Sequence, residues 1–258
     1  MKNYPRSFFC VTGSFYPIMT SSVLSSLFSS ILVFLKQGIL LSFFMSLLNL
    51  LFVVYCWLNN VLSEGKSGSH SFLMQSGFKM VFWYILLSEV MFFFGMFWFL
   101  LDISLVPSSE LGEIWPPMGV EVIDPFGVPL FNSMILLTSA VALSRAQKLH
   151  VVGLSPVLWL SLTIFLGWSF LLVQFFEYYT SSFTFSDSSY GSIFYMLTGF
   201  HGLHVFFGVL FLSSVFYRFL KSQMSSKHAL TFEFSIIYWH FVDFVWLLVF
   251  LLVMYWSE

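Results

Sequence analysis

Five ionisable side chains stand inside long apolar runs of this 258-residue chain: Glu89, His201, His204, His240 and Asp243. A charge at the centre of a hydrocarbon layer costs about 2.5–3.5 kcal/mol on insertion scales, so such groups must face protein, pair, or stay neutral. Carboxyl and imidazole groups exchange protons, hydrogen-bond and, in the right cluster, hold metals. His201 and His204 are three residues apart, as are His240 and Asp243, which puts each pair on one side of a helix. The first reading is a polar clamp: His201 and His204 on one helix bonded to His240 and Asp243 on the next. A proton path or a cofactor site is the alternative. Two histidines on one helix side cannot bind opposite faces of one haem, and no Glu-x-x-His pair occurs, which removes the di-iron pattern of helix bundles. A pair of histidines with one carboxylate remains the only metal option. The sequence has no Gly-rich phosphate loop and no nucleophile elbow. Glu89 lies among Phe92, Phe93, Phe94 and Trp98, with Lys79 the nearest basic residue of its own run. It is expected to be carried as a buried, protonatable acid. Glu177, beside Tyr178 and Tyr179, falls near the end of its run, at the level of a membrane interface.

The elements that position these groups follow from composition. The chain is 59% hydrophobic and 9% charged, with mean hydropathy +0.90. Soluble domains carry about 25% charged residues, so this surface belongs in a bilayer. A net charge of −2 without a basic stripe argues against nucleic acid as a partner. Cys10 and Cys56 form no metal or redox spacing and read as packing residues. The N-terminal MKNYPRSFFC looks like neither a signal nor a transit peptide.

Seven apolar segments, at about 17–35, 39–59, 78–101, 128–147, 156–180, 191–217 and 233–256, each come near the ~20 residues that cross a bilayer as a helix. The expectation is an all-α membrane protein with seven transmembrane helices. Its parts are an inner N-terminus (1–16), helices one and two (17–59), an inner loop (60–77) and five further helices (78–256) with a long outer loop (102–127). Serines 22, 26, 30 and 21, 25, 29 give the first span small-residue spacing suited to close helix packing. With the N-terminus inside, Lys2, Arg6, Lys66, Lys79, Arg145, Lys148, Arg218, Lys221 and Lys227 fall inside and Lys36 alone outside. At ~1.5 Å per residue, Glu89, His204 and Asp243 reach mid-bilayer on three different spans.

The stretches SEVMFFFGMFWF (88–99), PSSELGEIWPPMGV (107–120), EYYTSSFTFSDSSYGSIFYMLTGFHGLHVFFG (177–208) and YWHFVDFVWL (238–247) resemble the cytochrome c oxidase subunit III family. The resemblance implies that the first two helices splay from a five-helix bundle and that the chain carries no redox centre. Haem and copper would lie in partner subunits, with subunits 1 and 2 and further complex IV subunits as neighbours. It implies a mitochondrial inner-membrane protein with its N-terminus in the matrix, supporting assembly, proton uptake and sustained turnover. Glu89 matches the family's carbodiimide-reactive carboxyl. Phospholipid contacts map to Tyr55, Trp57, Glu64, His70, Lys79, Arg218 and Lys221. Lys79 stands where the family often has arginine, and Trp57–Leu58 where it often has two tryptophans. From the residues alone, an independent proton-coupled transporter or channel using the midplane Glu89, His and Asp set is the competing function.

Overall fold

A computed structural model describes residues 13–66, 72–107, 113–224 and 229–256. Seven helices form: α1 (Tyr16–Gln37), α2 (Leu40–Lys66), α3 (Phe72–Leu105), α4 (Val128–Val152), α5 (Val157–Thr180), α6 (Ser189–Leu220) and α7 (Leu230–Val249), the last continued by a π-helical turn over Phe250–Tyr255. All seven are long and apolar enough to cross a membrane. Helix is the form that satisfies every backbone N–H and C=O within one segment where no water can. Several helices outrun their apolar cores. The expected inner loop 60–77 is helical at both ends, because α2 continues to Lys66 and α3 begins at Phe72. The i→i−4 ladder does not stop where lipid stops.

The chain divides into two compact units, Met1–Val81 and Phe82–Glu258. In the first, α1 packs against α2. Gly38 takes φ +70°, which a residue without Cβ adopts freely, and its N–H closes α1 on Phe34 O at 2.8 Å. Of the six regularly spaced serines only Ser30 is buried; its hydroxyl meets Ser46 Oγ at 2.7 Å across the helix pair. The other five are exposed and bond back to their own helix.

In the second unit, α4 packs on α5 and α7, and α6 packs on the same two, so four helices close a ring. Trp239 of α7 is its keystone. Its Nε1–H donates to Ser139 Oγ of α4 at 2.9 Å, and its ring fills the space left by two glycines, Gly167 of α5 and Gly208 of α6. Trp246, two turns further, donates to Ser133 Oγ of α4 at 2.9 Å. Each indole thus buries a large apolar face and satisfies its one donor. The part of α3 in this unit meets the ring through long side chains. Phe82 stacks on Phe234 at 4.3 Å, and Phe93 contacts His204 and Phe241. Outside the spans, Trp115 sets its ring on Tyr190 and Asp124 accepts from the Phe126 amide. Ser188 caps α6 by accepting from the Gly191 N–H at 3.0 Å.

Candidate functional site: a carboxyl–imidazole pair at mid-helix

Glu89 lies 17 residues from the start of α3 and 16 from its end; His204 lies 15 and 16 residues from the ends of α6. Their side chains meet at these midpoints, with Glu89 Oε2 2.9 Å from His204 Nε2. The other imidazole nitrogen fixes the proton count. His204 Nδ1 is 2.6 Å from Phe200 O, a carbonyl that only accepts, so Nδ1 carries a hydrogen. Nε2 then either accepts from a protonated Glu89 or donates, as imidazolium, to its carboxylate. In both forms one proton lies in the 2.9 Å gap. The Phe93 ring packs on His204 at 4.9 Å, and Tyr238 Oη donates to His204 O at 3.4 Å. The arrangement places one hydrogen between a carboxyl and an imidazole near the midpoints of α3 and α6.

The structure departs from the sequence reading at this point. Glu89 is half-buried rather than buried, its side chain 32% exposed against 15% for His204. Phe94 and Trp98 are exposed, Phe92 is 40% exposed with its ring against Phe200 at 5.0 Å, and Phe93 alone of the four aromatics is buried. The expected bonds from His201 and His204 to His240 and Asp243 do not form. His204 turns to Glu89, whereas His201 is buried between Phe170 and Trp246, with neither nitrogen bonded. His240 Nδ1 approaches Asp243 Oδ2 at 3.5 Å within α7, but neither carboxyl oxygen of Asp243 makes a hydrogen bond. The other nitrogen of His240 lies 3.5 Å from Ser144 Oγ of α4, a partner that sequence spacing did not suggest. Helix α7 is thus tied polar-wise to α4 by Ser144, Ser139 and Ser133, small residues whose role only the packed structure reveals.

The positions assigned to lipid fall in both units. Trp57 stacks on Tyr16 at 6.5 Å, Tyr55 is exposed, and Glu64 accepts from Asn60 Nδ2 at 3.2 Å. Lys79 lies on α3, and His70 lies outside the described residues. In the second unit Arg218 Nη1 donates to Thr231 Oγ1 at 2.9 Å, while its Nε has no protein partner. Lys221 Nζ sits 5.8 Å above the Tyr217 ring. An apolar groove of about 650 Å³ runs between α3 and α7, lined among others by Trp83, Leu87, Val90, Phe241 and Phe244. Among the described residues no three His, Cys, Asp or Glu side chains converge.

Seven helices long and apolar enough to cross a membrane define a multi-span membrane protein, with a carboxyl and an imidazole in hydrogen-bond distance near the midpoints of two of them. The family model described as cytochrome c oxidase subunit III matches residues 6–258. Cytochrome c oxidase subunit 3 of Rhizopus stolonifer is 40% identical over 97% of this chain and 90% of its own length. That of Myxine glutinosa is 38% identical over the full length of both, and that of Triticum aestivum 42% identical over 83% of this chain and 82% of its own. The chain belongs to the cytochrome c oxidase subunit III family. Nothing in these similarities supports the independent transporter.

Proposed function

We propose that the chain serves cytochrome c oxidase of the mitochondrial inner membrane as a redox-silent subunit, packed beside subunits 1 and 2 and further subunits of complex IV. Its role is to support assembly, proton uptake and sustained turnover while electrons pass from cytochrome c to oxygen. The observation that carries this reading is the shared proton of Glu89 and His204. Among the described residues no three His, Cys, Asp or Glu side chains converge, and in this proposal haem and copper lie in the partner subunits. Its own residues hold and orient. Phe93 and the Phe200 carbonyl fix the His204 ring, and that ring presents Nε2 to the carboxyl. The 32% exposure of Glu89 leaves the acid reachable, so a proton can be taken from or given to a neighbour. The excess of Lys and Arg on alternate connections favours a matrix N-terminus and an intermembrane-space C-terminus.

Phospholipid is part of the proposal. The Arg218 guanidinium, held by Thr231, and the ammonium of Lys221 suit a phosphate at the inner headgroup level, and the apolar α3–α7 groove suits an acyl chain. Tyr55, Trp57, Glu64, His70 and Lys79 are the proposed contacts of the first unit.

The experiment is Glu89→Gln in the assembled oxidase. Glutamine matches the acid in size and can still bond His204, but it cannot release a proton. Assembly is expected to match wild type, with activity decaying faster during sustained turnover. Failure to assemble, or an unchanged decay, overturns the proton-holding role.

A further inference from the structure

At the end of the ring where α4 begins, three polar side chains from two helices are buried together. Asn132 is 0%, Gln174 4% and Glu177 3% exposed. Asn132 sits four residues into α4, while Gln174 and Glu177, one helical turn apart, lie in the last turns of α5. Protein supplies a single bond among them, from Asn132 Nδ2 to Gln174 Oε1 at 3.3 Å. Asn132 Oδ1, Gln174 Nε2 and both carboxyl oxygens of Glu177 have no partner. Turning both amides over would exchange donor for acceptor at each, and would still leave one of each free. In the connection before α4, Trp115 Nε1 is also unbonded, with its ring 5.8 Å from that of Tyr190, the second residue of α6. Tyr190 lies within electrostatic range of Glu177.

Each buried polar atom left unbonded forfeits the hydrogen bonds it made to water, and a carboxylate forfeits most. Four such atoms, on a bonded amide pair and on a carboxyl one helical turn from Gln174, call for a small partner that both donates and accepts. A bare cation would meet the Gln174 N–H donor, or the Asn132 donor after a flip, and is disfavoured. Water makes about three bonds, donating to Glu177 and Asn132 Oδ1 while accepting from Gln174. We propose that Asn132, Gln174 and Glu177 form an internal water site, in which bound water bridges the Glu177 carboxyl to the amide pair. This site is separate from the Glu89–His204 pair and does not depend on that pair's role.

A cryo-EM map of the assembled oxidase, at a resolution that shows ordered water, tests this directly. The expected result is water density within hydrogen-bond distance of a Glu177 carboxyl oxygen and of the Asn132 or Gln174 amide. A dry site, or one in which protein atoms alone bond Glu177, overturns the proposal. Glu177→Gln is expected to retain the water, and Glu177→Leu to lose it. Water that persists unchanged in Glu177→Leu also overturns it, since the carboxyl would then not be what holds it. Should Glu177→Leu fail to assemble, the wild-type and Glu177→Gln maps decide.

Discussion

The ring of α4–α7 closes on one tryptophan, and Gly167→Ala should disturb it measurably. A Cβ at position 167 would stand 2.6 Å from Val209 Cγ2 and 2.7 Å from Trp239 Cη2. Carbon atoms rest about 3.5–4.0 Å apart, so the new methyl overlaps two neighbours by about 1 Å each. Neither yields easily. Val209 is β-branched and stiff at χ1, and Trp239 is pinned by its bond to Ser139 and by Gly208, whose own Cβ would lie 3.0 Å from the indole. Overpacking of this kind costs about 1–3 kcal/mol, against which alanine's helix preference over glycine returns about 0.5–1 kcal/mol. The net loss of about 1–2 kcal/mol is a factor of roughly 5–30 in the folded-to-unfolded ratio. The assay is the fraction of the chain retained in detergent-solubilised oxidase on heating. Trp239→Phe removes the Cη2 and Cζ2 atoms that meet the new methyl, leaving the Val209 overlap. In that background Gly167→Ala should cost less, with a coupling of about 0.5–3 kcal/mol. A Gly167→Ala oxidase as heat-resistant as wild type, or a penalty unchanged by Trp239→Phe, refutes the keystone argument.

Three further outcomes are expected. In a background lacking Cys10 and Cys56, an impermeant thiol reagent applied to the intermembrane-space side should label a cysteine at 113 and not one at 145; the reverse would invert the topology. Asp243→Leu should leave the Glu89–His204 bond in place, because the ionisable side chain that Asp243 approaches among the described residues is His240, at 3.5 Å; a map of that variant in which His204 has left Glu89 would contradict the pairing. Asp187 lies outside the spans, where the Thr184 amide bonds its carboxylate at 2.6 Å and holds it below the ordinary carboxylate range. A group whose folded value is depressed stabilises above its unfolded value and loses that contribution as pH falls through the folded one. Protection of the 181–188 connection from proteolysis should therefore weaken on acidification below about pH 4, and Asp187→Asn should abolish this pH dependence.

The spans were legible because charge and proline interrupt apolarity where a lipid-crossing helix must end. Their ends were less so, since α2 and α3 continue past their apolar cores on backbone hydrogen bonds that composition does not report. The positions of Glu89 and His204 near the midpoints of their helices followed from counting residues, but their partners did not. Spacing of three residues puts His201 and His204 on the same side of α6, yet three steps of about 100° leave them about 60° apart. In a ring of helices that angle separates the interior from a neighbouring helix. His201 turns inward to Phe170 and Trp246, and His204 turns to α3 and Glu89. Sequence adjacency favoured a bond between α6 and α7, which do pack. Their contact is made instead by Trp239 against Gly208 and by the His201 ring against that of Trp246, with no bond from either histidine of α6 to His240 or Asp243. The cluster of Asn132, Gln174 and Glu177 was hidden for the opposite reason. Each residue sits near the end of its span, where a polar side chain ordinarily reaches water, and only the closure of α4 on α5 and α7, and of α6 on the same two, buries all three.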